Sequence, residues 1–138
     1  MMIGLDIGTT NSCAAIWDGR AARMLELDES GAIIMPSVVT IANGQAFVGH
    51  KALELGPLHP DDCFRHFKRS LAEKLHADER SDYQTCEGVD EDGAPNGMLA
   101  YKTSDGHVYS PVELTSYVIG ALITAANKRL APDDTVTG

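Results

Sequence analysis

The chain predicts a mixed α/β fold, and three observations carry that prediction. Short segments rich in Ile, Val and Ala, bounded by turn residues, recur through the first half, as hairpin-joined strands do. The dipeptide Asn43-Gly44 separates two of them and is the favoured type I′ turn. Near the C-terminus a long apolar-periodic stretch opens on a complete helix-start signal, Ser110-Pro111-Val112-Glu113.

Bulk properties narrow the function classes. With 138 residues, 43% hydrophobic and 22% charged, the chain can bury a core of its own. A net charge of −9 argues against a nucleic-acid partner. No apolar run reaches membrane-spanning length, so no membrane partner is expected. Met1-Met2 runs straight into a strand with no basic, cleavable leader. Three cysteines, Cys13, Cys63 and Cys86, are odd in number and widely spaced, which fits a cytoplasmic setting. Cys13 is expected to be a small core residue.

The first element is the one with chemistry in it. Ile3–Ile7 and Ser12–Trp17 read as two strands folded about Gly8-Thr9-Thr10-Asn11. Gly8 lets backbone approach a ligand, and two hydroxyls and an amide follow. Asp6 ends the first strand. Polyphosphate binding needs clustered N–H donors, hydroxyls and a carboxylate for hydrated Mg²⁺, all offered here within six residues. The plainer reading is an ordinary hairpin with a polar turn.

The remaining elements follow in order. Asp18-Gly19 turns the chain into a third strand, Arg20–Leu27, making an antiparallel meander. Pro36 cannot donate to a ladder and marks an edge or a crossing. Val38–Ala42 and Gln45–Val48 form the hairpin about Asn43-Gly44. His50–Leu55 reads as a short helix ended by Gly56 and Pro57. Over Asp61–Leu75 the spacing of Phe64, Phe67 and Leu71 predicts an amphipathic helix, on which Lys68-Arg69 would be a solvated basic pair. The histidines lack metal-ligand spacing and are expected at the surface or hydrogen-bonded. Ala77–Gly97 is polar and reads as loop, including Asp78-Glu79-Arg80 and Asp90-Glu91-Asp92-Gly93. Met98–Thr103 and His107–Tyr109 flank a turn at Ser104-Asp105-Gly106. The final helix runs to about Leu130, with Leu114, Val118, Leu122, Ala125 and Ala126 on one side and Pro132 beyond it. From Asp133 to Gly138 the chain begins what looks like another strand.

Asp-Ile-Gly-Thr-Thr-Asn-Ser-Cys, residues 6–13, closely resembles the first phosphate loop of the DnaK-type heat-shock chaperones, the heat shock protein 70 family. Pro36-Ser37-Val38-Val39 with Phe47-Val48-Gly49, Lys68-Arg69, and Ser110-Pro111 with Glu113-Leu114 resemble later segments of the same family. After Lys-Arg the family continues with Leu, an aliphatic residue and Gly; here Ser70-Leu71-Ala72 stands instead, which marks a divergent member.

The resemblance implies an actin-like ATPase (ribonuclease H-like) fold, of which this chain is an incomplete first lobe. Residues 1–37 and 109–138 would form part of its inner subdomain, and residues 38–108 a small outer α+β subdomain. The second lobe and the peptide-binding domain would lie outside the chain. ATP or ADP with Mg²⁺ is the implied cofactor. Asp6 would hold Mg²⁺ through water, Gly8, Thr9, Thr10 and Asn11 would hold phosphates, and Lys68 would act at the γ-phosphate. The intact parent would hydrolyse ATP to drive binding and release of unfolded polypeptides, with a J-domain co-chaperone and a nucleotide exchange factor as partners. The fragment alone is expected to bind ATP weakly or not at all and not to hydrolyse it. Sugar kinases share Asp-Ile-Gly-Thr-Thr, and an actin-like filament protein is the other alternative. Asn11-Ser12-Cys13 and Lys68-Arg69 favour the chaperone.

Overall fold

A computed structural model describes residues 1–76 and 84–130. Strands β1 (Met2–Ile7) and β2 (Asn11–Trp17) pair antiparallel from Met2↔Trp17 to Ile7↔Ser12, about the expected polar turn. Strand β3 (Ala22–Met24) takes the other edge of β2, completing the expected meander. A short β4 (Met35–Pro36) pairs with the start of β2, and Pro36 stands opposite Asn11 at its end.

Two expectations fail here. β3 is far shorter than Arg20–Leu27, because Asp18 Oδ1 accepts the N–H groups of Arg20 and Ala21 at 2.9 and 3.0 Å and holds both in the turn. At its other end the Leu27 N–H goes to the Ala32 carbonyl, 2.7 Å away, closing a separate turn. Cys13 is not a core residue. The strand period of two sends Ser12, Ala14 and Ile16 inward, leaving Cys13 half-buried on the other face, opposite Asp6.

The second sheet has the order β6-β5-β7, from β5 (Val38–Ala42), β6 (Gln45–Val48) and β7 (Cys63–Arg65). Asn43 and Gly44 have φ of 52° and 74°, the type I′ turn their sequence predicts. Every residue of β5 is buried. Helix α1 (His50–Leu55) packs on it, and Thr40 Oγ1 donates to the Ala52 carbonyl at 2.8 Å. Gly56 is not a left-handed cap. It stays right-handed, at φ −51°, and the chain continues into a 3-10 turn over Gly56–Leu58. An added Cβ at Gly56 would meet Cys63 Sγ at 3.0 Å, which accounts for the glycine.

The predicted helix over Asp61–Leu75 does not form. The segment is a 3-10 turn (Pro60–Asp62), then β7, then a second 3-10 turn (Phe67–Ser70). β5 offers an open edge, and pairing Val39 with Phe64 buries Phe64 completely against Tyr101, ring centroids 5.7 Å apart. His66, at φ 58°, then reverses the chain so that Phe67 is also buried, while Leu71 remains exposed. Two phenylalanines three apart reach one core through a strand and a turn as readily as through a helix.

Strands β8 (Thr85–Val89), β9 (Pro95–Lys102) and β10 (Val108–Tyr109) form the third sheet, in the order β10-β9-β8. The loop expected over Ala77–Gly97 is thus corrected: residues 84–97 contain β8 and the start of β9, and Asp78-Glu79-Arg80 lie outside the described residues. Polar side chains there serve a hairpin. Asp90 Oδ1 accepts from Asp92 and Ala94 in the turn, and Glu87 Oε1 accepts the Gly97 N–H at 3.0 Å.

Helix α2 (Pro111–Arg129) starts at the predicted capping box. Ser110 Oγ accepts the Glu113 N–H at 3.1 Å, and Glu113 Oε2 accepts the Ser110 N–H at 2.7 Å. Leu114, Val118, Leu122 and Ala126 are fully buried in one hydrophobic cluster with Ile16, Val39, Phe64 and Leu99. Arg129 at its end donates to the carbonyls of Glu26 and Asp28, tying the helix to the turn that follows β3. The expected strand after Asp133, and Pro132, lie outside the described residues.

Candidate functional site

The loop Gly8–Asn11 is shaped by its own backbone. A Cβ at Gly8 would lie 2.1 Å from the Asn11 carbonyl oxygen. Gly8 is therefore needed for the curl of the turn, and the space expected for ligand approach at its α-carbon is already filled by Asn11. Beneath the loop lies a buried clamp. Ser37 Oγ donates to the Gly8 carbonyl at 2.8 Å, so its other contact, 2.8 Å from Ser12 Oγ, must be with Ser12 donating, since a hydroxyl has one proton. The Ser37 N–H donates to the Thr10 carbonyl at 2.8 Å. Ser12 and Ser37 are 2% and 3% exposed, so both bonds are shielded from water.

Lys68 comes to this loop from 61 residues away and its Nζ donates to the Ile7 carbonyl, immediately before Gly8. The second 3-10 turn explains its placement. Phe67 is buried at one end, and at the other Ser70 Oγ lies 2.9 Å from the Tyr101 hydroxyl. Lys68 and Arg69, between these anchors, point outward.

Thr9, Thr10 and Asn11 line a cleft of about 170 Å³ whose other walls include Ser37, Arg65 and His66. Lys68 meets the loop at its strand end and does not line that cleft; neither does Asp6. Asp6 is exposed on β1, and its carboxylate belongs to no group of three or more acidic, His or Cys side chains among the described residues. Chemically the site offers exposed hydroxyls and amides at the turn, one ammonium at its entry, and a guanidinium and an imidazole across the cleft. Such a set suits a polyanion.

Four residues of this site had no role assigned from the sequence: Ser12 and Ser37, which lie inside quoted motifs, and Arg65 and His66, which lie in none. Ser12 carried a signal, because a polar residue in an inward strand position requires a buried partner. Arg65 and His66 carried none, since their place depends on β7 rather than on the predicted helix.

Across known proteins, the family model described as "Hsp70 protein" matches residues 2–137. The chain is 34% identical over 131 residues to the chaperone protein HscA homolog of Pasteurella multocida, covering 95% of this chain and 20% of that protein. It is 29% identical over 132 residues to the chaperone protein DnaK of Thermus thermophilus, covering 93% of this chain and 20% of that protein. It therefore spans about a fifth of the length of these relatives. Matched along nearly its whole length, with the Gly8–Asn11 loop and Lys68 brought together in space, the chain belongs to the Hsp70 family.

Proposed function

We propose that this chain is the amino-terminal part of the ATP-binding unit of a cytoplasmic Hsp70-type chaperone. Its parent couples ATP binding and hydrolysis to binding and release of unfolded polypeptides, assisted by a J-domain co-chaperone and a nucleotide exchange factor. The observation that carries the reading is the hydrogen bond from Lys68 to the Ile7 carbonyl, which joins the two motifs the nucleotide chemistry requires. The fold is the first lobe of an actin-like ATPase. Residues 1–37 and 109–138 belong to its inner subdomain, a stretch that contains the first sheet and α2, and residues 38–108 to its outer one, which contains the second sheet and most of the third.

Bound Mg-ATP would supply the γ-phosphoryl group and a divalent charge. Mg²⁺ binds through one or two carboxylates and keeps much of its water, which fits a single exposed Asp6 beside the loop. Gly8, Thr9, Thr10 and Asn11 present N–H, hydroxyl and amide donors to phosphate oxygens. With nucleotide bound, Lys68 would supply a cation to stabilise charge developing in phosphoryl transfer, an electrostatic contribution that needs position more than proton transfer. Arg65 adds positive charge across the cleft, and His66 stands beside it with an imidazole.

Titrating the 138-residue chain with Mg-ATP and following backbone amides by NMR tests this reading. Weak, millimolar-range binding with shifts concentrated at Gly8–Asn11, reduced in Lys68→Ala, is expected, without turnover. Shifts that spare this loop would overturn the site. Steady hydrolysis by the isolated chain, abolished by Lys68→Ala, would overturn its inactivity.

A further inference from the structure

A second concave surface lies away from the phosphate loop, between the β8–β9 hairpin and the start of α2. Its volume, about 490 Å³, lies within the range of small-molecule and cofactor sites. Val89, Met98, Val108 and Val112 contribute an apolar floor. Val89 and Val112 are 46% and 64% exposed, so the floor is open to water.

The rim carries charge of one sign. Glu73, Asp90, Glu91 and Glu113 line the groove, and none of its lining residues is Lys, Arg or His. Two of these carboxylates already serve the fold: Asp90 holds the hairpin turn and Glu113 the capping box. Glu73 and Glu91 are the rim charges with no such structural task among the described residues. Open valines inside a wholly acidic rim match one kind of occupant. Apolar side chains would anchor in the floor, and Lys or Arg would meet the rim, setting orientation and encounter rate.

We infer that this groove docks a basic amphipathic peptide segment of a partner protein. The inference does not rest on nucleotide binding. Electrostatic attraction to a chain of net charge −9 is the competing explanation for any cationic ligand, so the test has to separate site from net charge.

The probe is a fluorescent amphipathic peptide made only of Leu and Lys, with a Leu/Glu peptide of the same pattern as control, titrated by anisotropy against the 138-residue chain. Expected is saturable binding of one Leu/Lys peptide per chain, weakened by salt, and none of the Leu/Glu peptide. Val112→Ser, which removes apolar floor without adding charge, and the pair Glu73→Lys/Glu91→Lys should each weaken it about tenfold or more. Val112 and Glu91 are exposed, and the half-buried Glu73 carboxylate holds no turn or cap among the described residues, so circular dichroism of both variants should match the parent chain. Glu29→Lys/Asp61→Lys, with the same change of net charge at exposed sites outside the groove, should leave affinity within about twofold. Equal losses in both charge-reversed pairs, or unaltered binding in Val112→Ser, would overturn the inference. So would a dimer of the chain alone that Val112→Ser dissociates, because the occupant would then be a second copy.

Discussion

Replacing Ser37 with alanine removes the middle of the relay from Ser12 to the Gly8 carbonyl. Ser37 Oγ donates to that carbonyl at 2.8 Å and accepts from Ser12 at 2.8 Å. Two hydrogen bonds are lost at about 1 kcal/mol each, and the Ser12 hydroxyl, 2% exposed, is left buried without an acceptor, adding about 1–2 kcal/mol. The expected destabilisation of Ser37→Ala is therefore about 3–4 kcal/mol. Ser12→Ala leaves Ser37 still donating to Gly8 and should cost only about 1 kcal/mol. In the double variant no hydroxyl is stranded and the Ser12–Ser37 bond, counted in both singles, is lost once, so its loss should fall short of the sum of the singles by about 2–3 kcal/mol. Urea unfolding with unchanged m-values reads all three. Additivity within about 0.5 kcal/mol, or a Ser37→Ala cost below that figure, would refute the relay.

Other perturbations probe other parts of the molecule. Phe64→Ala should cost about 3–5 kcal/mol in urea unfolding, because the ring is wholly buried against Tyr101; a loss near 1 kcal/mol would mean the core collapses around the gap. Ser110→Ala should cost about 1 kcal/mol and loosen amide protection in the first turn of α2; unchanged hydrogen exchange there would count against the capping box. Asp105 is held down to about 2 by the Thr103 hydroxyl and then by His107. Its ionised form is thus favoured by folding, so its contribution is complete above the ordinary value of 3.8 and disappears as pH falls through about 2. An NMR titration of the Asp105 carboxyl should show the low midpoint, and Thr103→Val should move it up; a midpoint at 3.8 in the parent chain would contradict the hydrogen bonding.

Local chemistry by itself determined much of this protein. The Asn43-Gly44 turn, the capped helix from Ser110, the first hairpin and the family string at residues 6–13 were all legible, because each signal acts between residues a few positions apart. Family membership was legible for the same reason. What only the tertiary structure decided depends on partners far off in the chain. Phe64 and Phe67 have helical spacing, yet the open edge of β5 made one a strand residue and the other the anchor of a turn. The polar run at Thr85–Val89 became a strand because β9 supplied its hydrogen bonds. Ser37 became a clamp only when β4 aligned with the start of β2, and Arg65 and His66 reached the loop only once β7 replaced the expected helix. A propensity of a few tenths of a kcal/mol per residue yields to burying a phenylalanine or satisfying a buried polar group, each of which contributes about 1 kcal/mol or more. Burial and pairing of that kind involve residues tens of positions away, which is why the position of Lys68 beside Ile7 had to be seen in three dimensions.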